Sequence, residues 1–192
     1  MNDSATPSLS VDTVNGVLRG TVEIAATPER VFEALTQPHE LASWWGSEAT
    51  YRTSDWHVDA RPGGKWSART IDAAGDEGHI GGEYSVVDPA RALEHTWFAS
   101  WDGSSPSIVR YDLDSAFVDG VAGTRLTVTH TRFDNAQMND VRSFDFTGVI
   151  TCLARHATHT PMRVDEMTRY EIRPTRYRAR RPTVSCAHNG WN

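Results

Sequence analysis

Val109-Arg110-Tyr111-Asp112-Leu113-Asp114 and, a little further on, Thr124-Arg125-Leu126-Thr127-Val128-Thr129-His130 alternate apolar and polar residues without a break. A period of two belongs to an extended chain with one face buried and the other wet. Working outward from these two stretches, turn residues fall at regular intervals: Pro62-Gly63-Gly64, Gly81-Gly82, Asp88-Pro89, Asp102-Gly103 and Ala122-Gly123. They divide the middle of the chain into six predicted strands, near 55–60, 65–72, 79–88, 91–101, 107–117 and 124–131.

A seventh strand precedes them at Leu18 to Ala25, where Leu18, Val22 and Ile24 share a face and Gly20 interrupts the row. Thr27-Pro28-Glu29-Arg30 then opens a helix, with Thr27 as N-cap and Pro28 at the first helical position. Pro38 ends it, and a second short helix runs to Trp45 and Gly46. A sheet with one wet face needs a cover on the other. Asn139 to Thr158 supplies a candidate, with Phe146, Val149, Ile150, Leu153, Ala154 and Ala157 at three- and four-residue spacing. Strand, two short helices, six strands and a long helix make an α+β domain with an antiparallel sheet.

With 192 residues the chain has the size of one domain that can bury a real core. Residues 1–15 read as a disordered leader, 16–160 as the domain and 161–192 as a basic tail. The charge is uneven: the first 160 residues carry 12 basic and 22 acidic side chains, whereas the last 32 carry seven Arg against Asp165, Glu166 and Glu171. An acidic main body argues against nucleic acid as partner. No apolar run is long enough for a membrane span. The polar N-terminus carries no export pattern, and Cys152 and Cys186 match no metal or redox spacing, so a cytoplasmic setting is the expectation.

Four further stretches carry a resemblance. They are Arg30 to Thr36 followed by Trp44-Trp45-Gly46; Arg61 to Trp66; Gly82-Glu83-Tyr84 through Val87-Asp88-Pro89 to Leu93 and Thr96-Trp97; and Gly123 to His130. In order and spacing they resemble the family named for activators of the ninety-kilodalton heat-shock protein ATPase, from about Thr21 to Phe133. The resemblance implies a helix-grip fold of the START/Bet v 1-like (SRPBCC) superfamily: a curved antiparallel sheet of six or seven strands around a long C-terminal helix. It fades after Phe133. For the tail two readings stay open, a basic extension or the product of a shifted reading frame.

The alternation turns Trp66, Ala68, Tyr84, Val86, Leu93, His95 and Trp97 to the concave face, and from the last two strands Val109, Tyr111, Leu113, Leu126, Val128 and His130. Trp45, Phe146, Ile150 and Leu153 are expected to close over them. An apolar lining with a few polar tips suits a small-molecule pocket, and equally a filled core. The candidate cavity residues are Trp45, Trp66, Tyr84, His95, Trp97, Tyr111 and His130. His95 stands out as an imidazole in an apolar row, where the family more often has an aromatic or aliphatic residue.

No nucleophile elbow, phosphate loop or dinucleotide fingerprint is present. His156 and His159 lack a third ligand at recognisable spacing, so neither a metal nor a cofactor is expected. The reading drawn is a domain that binds an unidentified hydrophobic or amphipathic small molecule, with a stress-related role implied by resemblance alone. Superfamily members implied by the resemblance supply two alternatives: a polyketide cyclase/aromatase-like enzyme using His95, Tyr84 and Tyr111, or a chaperone-activating partner protein. Oligomeric state is left open.

Overall fold

The computed structural model describes residues 8–12, 17–46, 51–72, 74–101, 106–131 and 148–158. Strands β1 (Ser8–Asp12) and β2 (Val17–Ile24) precede helices α1 (Pro28–Thr36) and α2 (Pro38–Trp44). Six strands follow: β3 (Tyr51–Val58), β4 (Lys65–Asp72), β5 (Glu77–Asp88), β6 (Ala92–Ala99), β7 (Ser107–Val118) and β8 (Val121–Thr131). Helix α3 occupies residues 148–157. Phe146 and the first half of the expected closing helix lie outside the described residues, as does the tail from 159 onward.

All strands join one antiparallel sheet in the order β1-β2-β8-β7-β6-β5-β4-β3. Among the described residues the sheet has eight strands, against about six or seven expected. The extra one, β1, pairs Ser8 with Thr21 through Asp12 with Val17, inside the stretch read as a leader. Its apolar positions, Leu9 and Val11, alternate over too few residues to stand out in sequence.

Local chemistry explains the helices. The Thr27 hydroxyl accepts from the Arg30 N–H, and Pro28 and Pro38 take first-turn positions where a missing N–H costs nothing. Gln37 is both the end of α1 and the cap of α2, so Pro38 divides one apolar stretch into two short helices. Inside, Leu18, Val31, Leu93, Leu126 and Leu153 are among the least exposed side chains. Each stabilises the fold by about 1.5–3 kcal/mol relative to exposure. Ile150, Leu153 and Ala157, three and four residues apart on α3, belong to that same core.

Two glycine readings change. The turn between β7 and β8 is Asp119-Gly120, both at positive φ (50° and 81°), with Val118 opposite Val121. This is the geometry that Asp-Gly favours in a two-residue hairpin, and it moves the turn back from Ala122-Gly123, which lies within β8. Gly81-Gly82 also lies inside a strand, β5. At Gly82 a Cβ would stand 1.7 Å from the Thr96 carbonyl oxygen and 2.7 Å from the Trp66 indole nitrogen. The position is glycine because a backbone and a large ring both need that space.

Two bulges shift the alternation along β3 and β5. Between Ser54 and His57 the register of β3 against β4 slips, with Asp55 at φ 53°. The burial pattern changes phase there: Thr53 is buried, Ser54 and Asp55 are exposed, and Trp56 is turned in. A second slip between Tyr84 and Val86 moves the inward place from Val86 to Val87, which packs on the core opposite Leu93. The expected inward Val86 is therefore corrected; the bulge reverses the faces beyond Ser85.

Candidate functional site

Under α1 and α2 the sheet holds a cage of aromatic side chains. Leu35 of α1 and Leu41 and Trp45 at α2 form its roof. Trp56 of β3, Trp66 of β4, Tyr84 of β5, His95 with Leu93 of β6, and Tyr111 of β7 form its floor and walls. The cross-strand register brings the polar members together, pairing Tyr84 with His95. The His95 ring centroid lies 5.0 Å from Trp66, 5.7 Å from Tyr84 and 5.8 Å from Tyr111. Trp45, Trp56 and Trp66 are mutually within 5.6–6.1 Å, the last two stacked at an interplanar angle of 16°. The space left at the centre is about 10 Å³, close to the minimum for one water molecule.

The tryptophans differ in how their N–H groups are satisfied. Trp44 donates to the Ala34 carbonyl at 2.9 Å and Trp45 to the Tyr51 hydroxyl at 3.1 Å. Trp56 Nε1 and Trp66 Nε1 are buried without a hydrogen-bond partner. A buried donor left so costs about 1–3 kcal/mol.

His95 is 4% exposed, and its Nδ1 lies 2.9 Å from the Thr96 carbonyl oxygen. A carbonyl can only accept, so Nδ1 carries the proton and the neutral ring keeps its lone pair on Nε2. Burial pushes the imidazole down to about 4, against smaller opposing effects of the Thr96 hydrogen bond and of Glu94. Burial likewise raises both phenols, Tyr84 and Tyr111, the second with a further contribution from Tyr84. At neutral pH the cage therefore carries no charge.

Of the seven sequence candidates, Trp45, Trp66, Tyr84, His95 and Tyr111 meet at this cage. Trp97 and His130 do not line it. They sit together at another place on the concave face, rings 6.1 Å apart and edge-on, and His130 Nε2 lies 2.7 Å from the hydroxyl of the fully buried Ser107. Nor do Ile150 and Leu153 close the cage; α1 and α2 do. Sequence reading missed Trp56, because simple alternation places it with the solvent-facing Arg52 and Ser54 and only the Asp55 bulge brings it in. No signal in the sequence marks that bulge.

A second polar group lies above the cage. Glu40 of α2 accepts from Arg30 at 2.7 Å and faces His156 Nε2 of α3 at 2.5 Å. Burial raises the Glu40 carboxyl, but Arg30 and His156 outweigh it and the net shift is downward. The group ties α1, α2 and α3 to one another through Arg30, Glu40 and His156. Among the described residues no cluster of His, Cys, Asp or Glu could hold a metal ion, and no helix is long and apolar enough to cross a membrane.

Comparison with known proteins agrees with this architecture. Solved structures superpose over most of the chain: Ms6760 from Mycobacterium smegmatis (TM-score 0.67, 19% identity, 82% of this chain and 97% of that one), and CV1439 from Chromobacterium violaceum (0.64, 23%, 74% and 97%). The AHSA1 protein SPO3351 from Silicibacter pomeroyi matches with a TM-score of 0.63 and 22% identity over 76% of this chain and 99% of that one. These likenesses carry the helix-grip fold. No curated protein sequence matches. The family model described as activator of Hsp90 ATPase homolog 1-like protein matches residues 25–158, and the chain belongs to that family.

Proposed function

We propose that this domain binds a small, uncharged, largely apolar molecule in the aromatic cage between α1–α2 and strands β3 to β7. The observation that carries the reading is the pair of indole N–H groups, Trp56 and Trp66, buried without partners in the wall of one cage. A core serving only stability is better filled by side chains with no polar atom to satisfy. Trp44 and Trp45, a few ångströms away, each have their partner. Of the three buried side-chain polar atoms without a partner among the described residues, the third being Arg30 Nη1, two stand together in this cage, as a site awaiting a hydrogen-bonding guest retains them.

The void of about 10 Å³ has room for one water, so a ring-sized guest enters only as the walls part. Trp56 is the wall that moves most easily. It is half-buried, and it stands on β3, which among the described residues is the edge strand and pairs only with β4. Parting two aromatic rings costs about 0.5–1.5 kcal/mol per pair, which a planar guest recovers by stacking in their place. An acid–base role finds less support, since an imidazole titrating near 4 is a weak base at neutral pH.

Titration of the protein with a panel of neutral aromatic and aliphatic compounds, followed by tryptophan emission, tests the reading. Saturable quenching at equimolar stoichiometry, weakened at least about tenfold in Trp66→Leu, is expected. If no compound in the panel quenches, the cage is a filled core.

A further inference from the structure

We infer that His95 is the acceptor in the cage that selects guests bearing a hydroxyl group, so that the ligand class is uncharged aromatic alcohols. The inference rests on the reading that the cage takes up a guest, and goes further by naming the polar group that guest carries.

The covalent geometry of the imidazole decides what each of its nitrogens meets. Nδ1, next to the ring's attachment point, is turned back to the strand and bonded to the Thr96 carbonyl. Nε2 is the distal nitrogen of a ring whose centroid lies within 5.0–5.8 Å of those of Trp66, Tyr84 and Tyr111. Because Nδ1 holds the only proton of the neutral ring, Nε2 offers a lone pair and nothing else. A guest that donates an O–H satisfies it. An ether of the same shape leaves it unpaired and brings a second acceptor against it.

The rest of the wall argues about charge. Among the described residues neither lysine, arginine, aspartate nor glutamate lines the cage, so an ionised guest loses its hydration with no counter-charge from them to meet it. His95 itself stays neutral through the physiological range because burial holds its titration near 4. Meanwhile Trp56 and Trp66 add N–H donors, which suit the oxygen of the same hydroxyl or a carbonyl beside it. The stacked Trp56 and Trp66 rings, 6.0 Å apart, favour a flat guest.

Three probes of one skeleton test this in the full chain: 2-naphthol, its methyl ether 2-methoxynaphthalene, and 2-naphthoate. At pH 7 the naphthol is expected to bind at least about tenfold more tightly than the ether, and naphthoate more weakly than either. In His95→Phe the gap between naphthol and ether should close. Should that variant fail to fold, ring-nitrogen chemical shifts of His95 in the unaltered protein serve instead. Nε2 is expected to move with naphthol and stay with the ether. Equal binding of naphthol and ether, a gap that survives in His95→Phe, an Nε2 resonance indifferent to naphthol, or naphthoate binding as tightly as naphthol would each overturn the inference and leave the cage reading standing. Failure of all three probes to bind would remove both.

Discussion

Two histidines on the concave face stand in parallel settings and end differently. His95 and His130 both lie opposite Val109 across neighbouring strand pairs, and both meet a tryptophan ring edge-on, Trp66 at 5.0 Å and Trp97 at 6.1 Å. His130 points its Nε2 at the Ser107 hydroxyl, 2.7 Å away. His95 spends its Nδ1 on the backbone beside it, and its ring is flanked by Trp66, Tyr84 and Tyr111, the first of which carries an unpartnered N–H group. The same pair of residue types thus builds a joint in one place and, on the function proposed above, a receptive cage in the other. What separates them is whether a neighbour's side chain answers the distal nitrogen.

Acid gives the largest way to test that contrast. The folded state holds His95 near 4, while an unfolded chain protonates it at its ordinary value of 6.5. Between those values the unfolded chain binds a proton that the folded one refuses, so stability falls as pH drops from 6.5 toward 4 and is full above that window. The difference of two to three pH units amounts to about 3 kcal/mol. Urea unfolding at pH 7 and pH 4.5 is expected to show most of that loss. In His95→Phe the loss should shrink to what the depressed Glu40 carboxyl and other acids contribute. An identical acid loss in the variant would mean that the His95 ring is charged or solvated in the fold.

The second effect concerns polar pairing itself. Ser107→Ala removes a 2.7 Å bond from a buried imidazole and is expected to cost about 1–3 kcal/mol. Trp44→Phe and Trp66→Phe shrink the same indole to the same phenyl, but only Trp44 has a bond to lose, to the Ala34 carbonyl. Trp44→Phe should therefore be the more destabilising by about 1 kcal/mol. Equal costs in urea titrations would show that the Trp66 N–H is satisfied in solution, and the contrast between cage and joint would lose its ground.

Most of the fold was legible in the sequence because it rests on periodicity. Leu126, Val128 and His130 opposite Val109, Tyr111 and Leu113 set two central strands, and Thr27-Pro28 with Pro38 bounded two helices. Five cage residues followed from the same alternation. What alternation cannot convey is where it breaks. Trp56 and Val87 depend on bulges at Asp55 and Ser85; aspartate tolerates positive φ, but one aspartate in a strand is too common to announce a bulge. The grouping within the face was hidden too. His95 and His130 read alike in an alternating row, and only three-dimensional packing gives Ser107 to one and three aromatic rings to the other. Of the side chains expected to close over the face, Trp45 does line the cage while Ile150 and Leu153 do not, because apolar spacing says that a helix buries a face, and not which part of the sheet receives it.

The smallest expected effect isolates the bulge that brings Trp56 into the cage. Asp55 sits at φ 53°, where a side chain is strained and aspartate is among the residues that tolerate it best. Asp55→Gly relieves that strain while loosening the unfolded chain, two opposed terms of about 0.5–1 kcal/mol. Its unfolding free energy should therefore stay within about 0.5 kcal/mol of the parent. Asp55→Val puts a branched residue where the backbone resists it, at a cost of about 1–2 kcal/mol. The chain's alternative is to straighten β3, and by the rule that a one-residue slip reverses the faces, Trp56 then points to solvent with Arg52 and Ser54. Fluorine NMR of protein labelled with 5-fluorotryptophan reads this directly, since the Trp56 signal should become accessible to a soluble quencher in Asp55→Val and stay protected in Asp55→Gly. Protection retained in both variants would show that packing against Trp45 and Trp66, and not the backbone at Asp55, holds the ring in the wall.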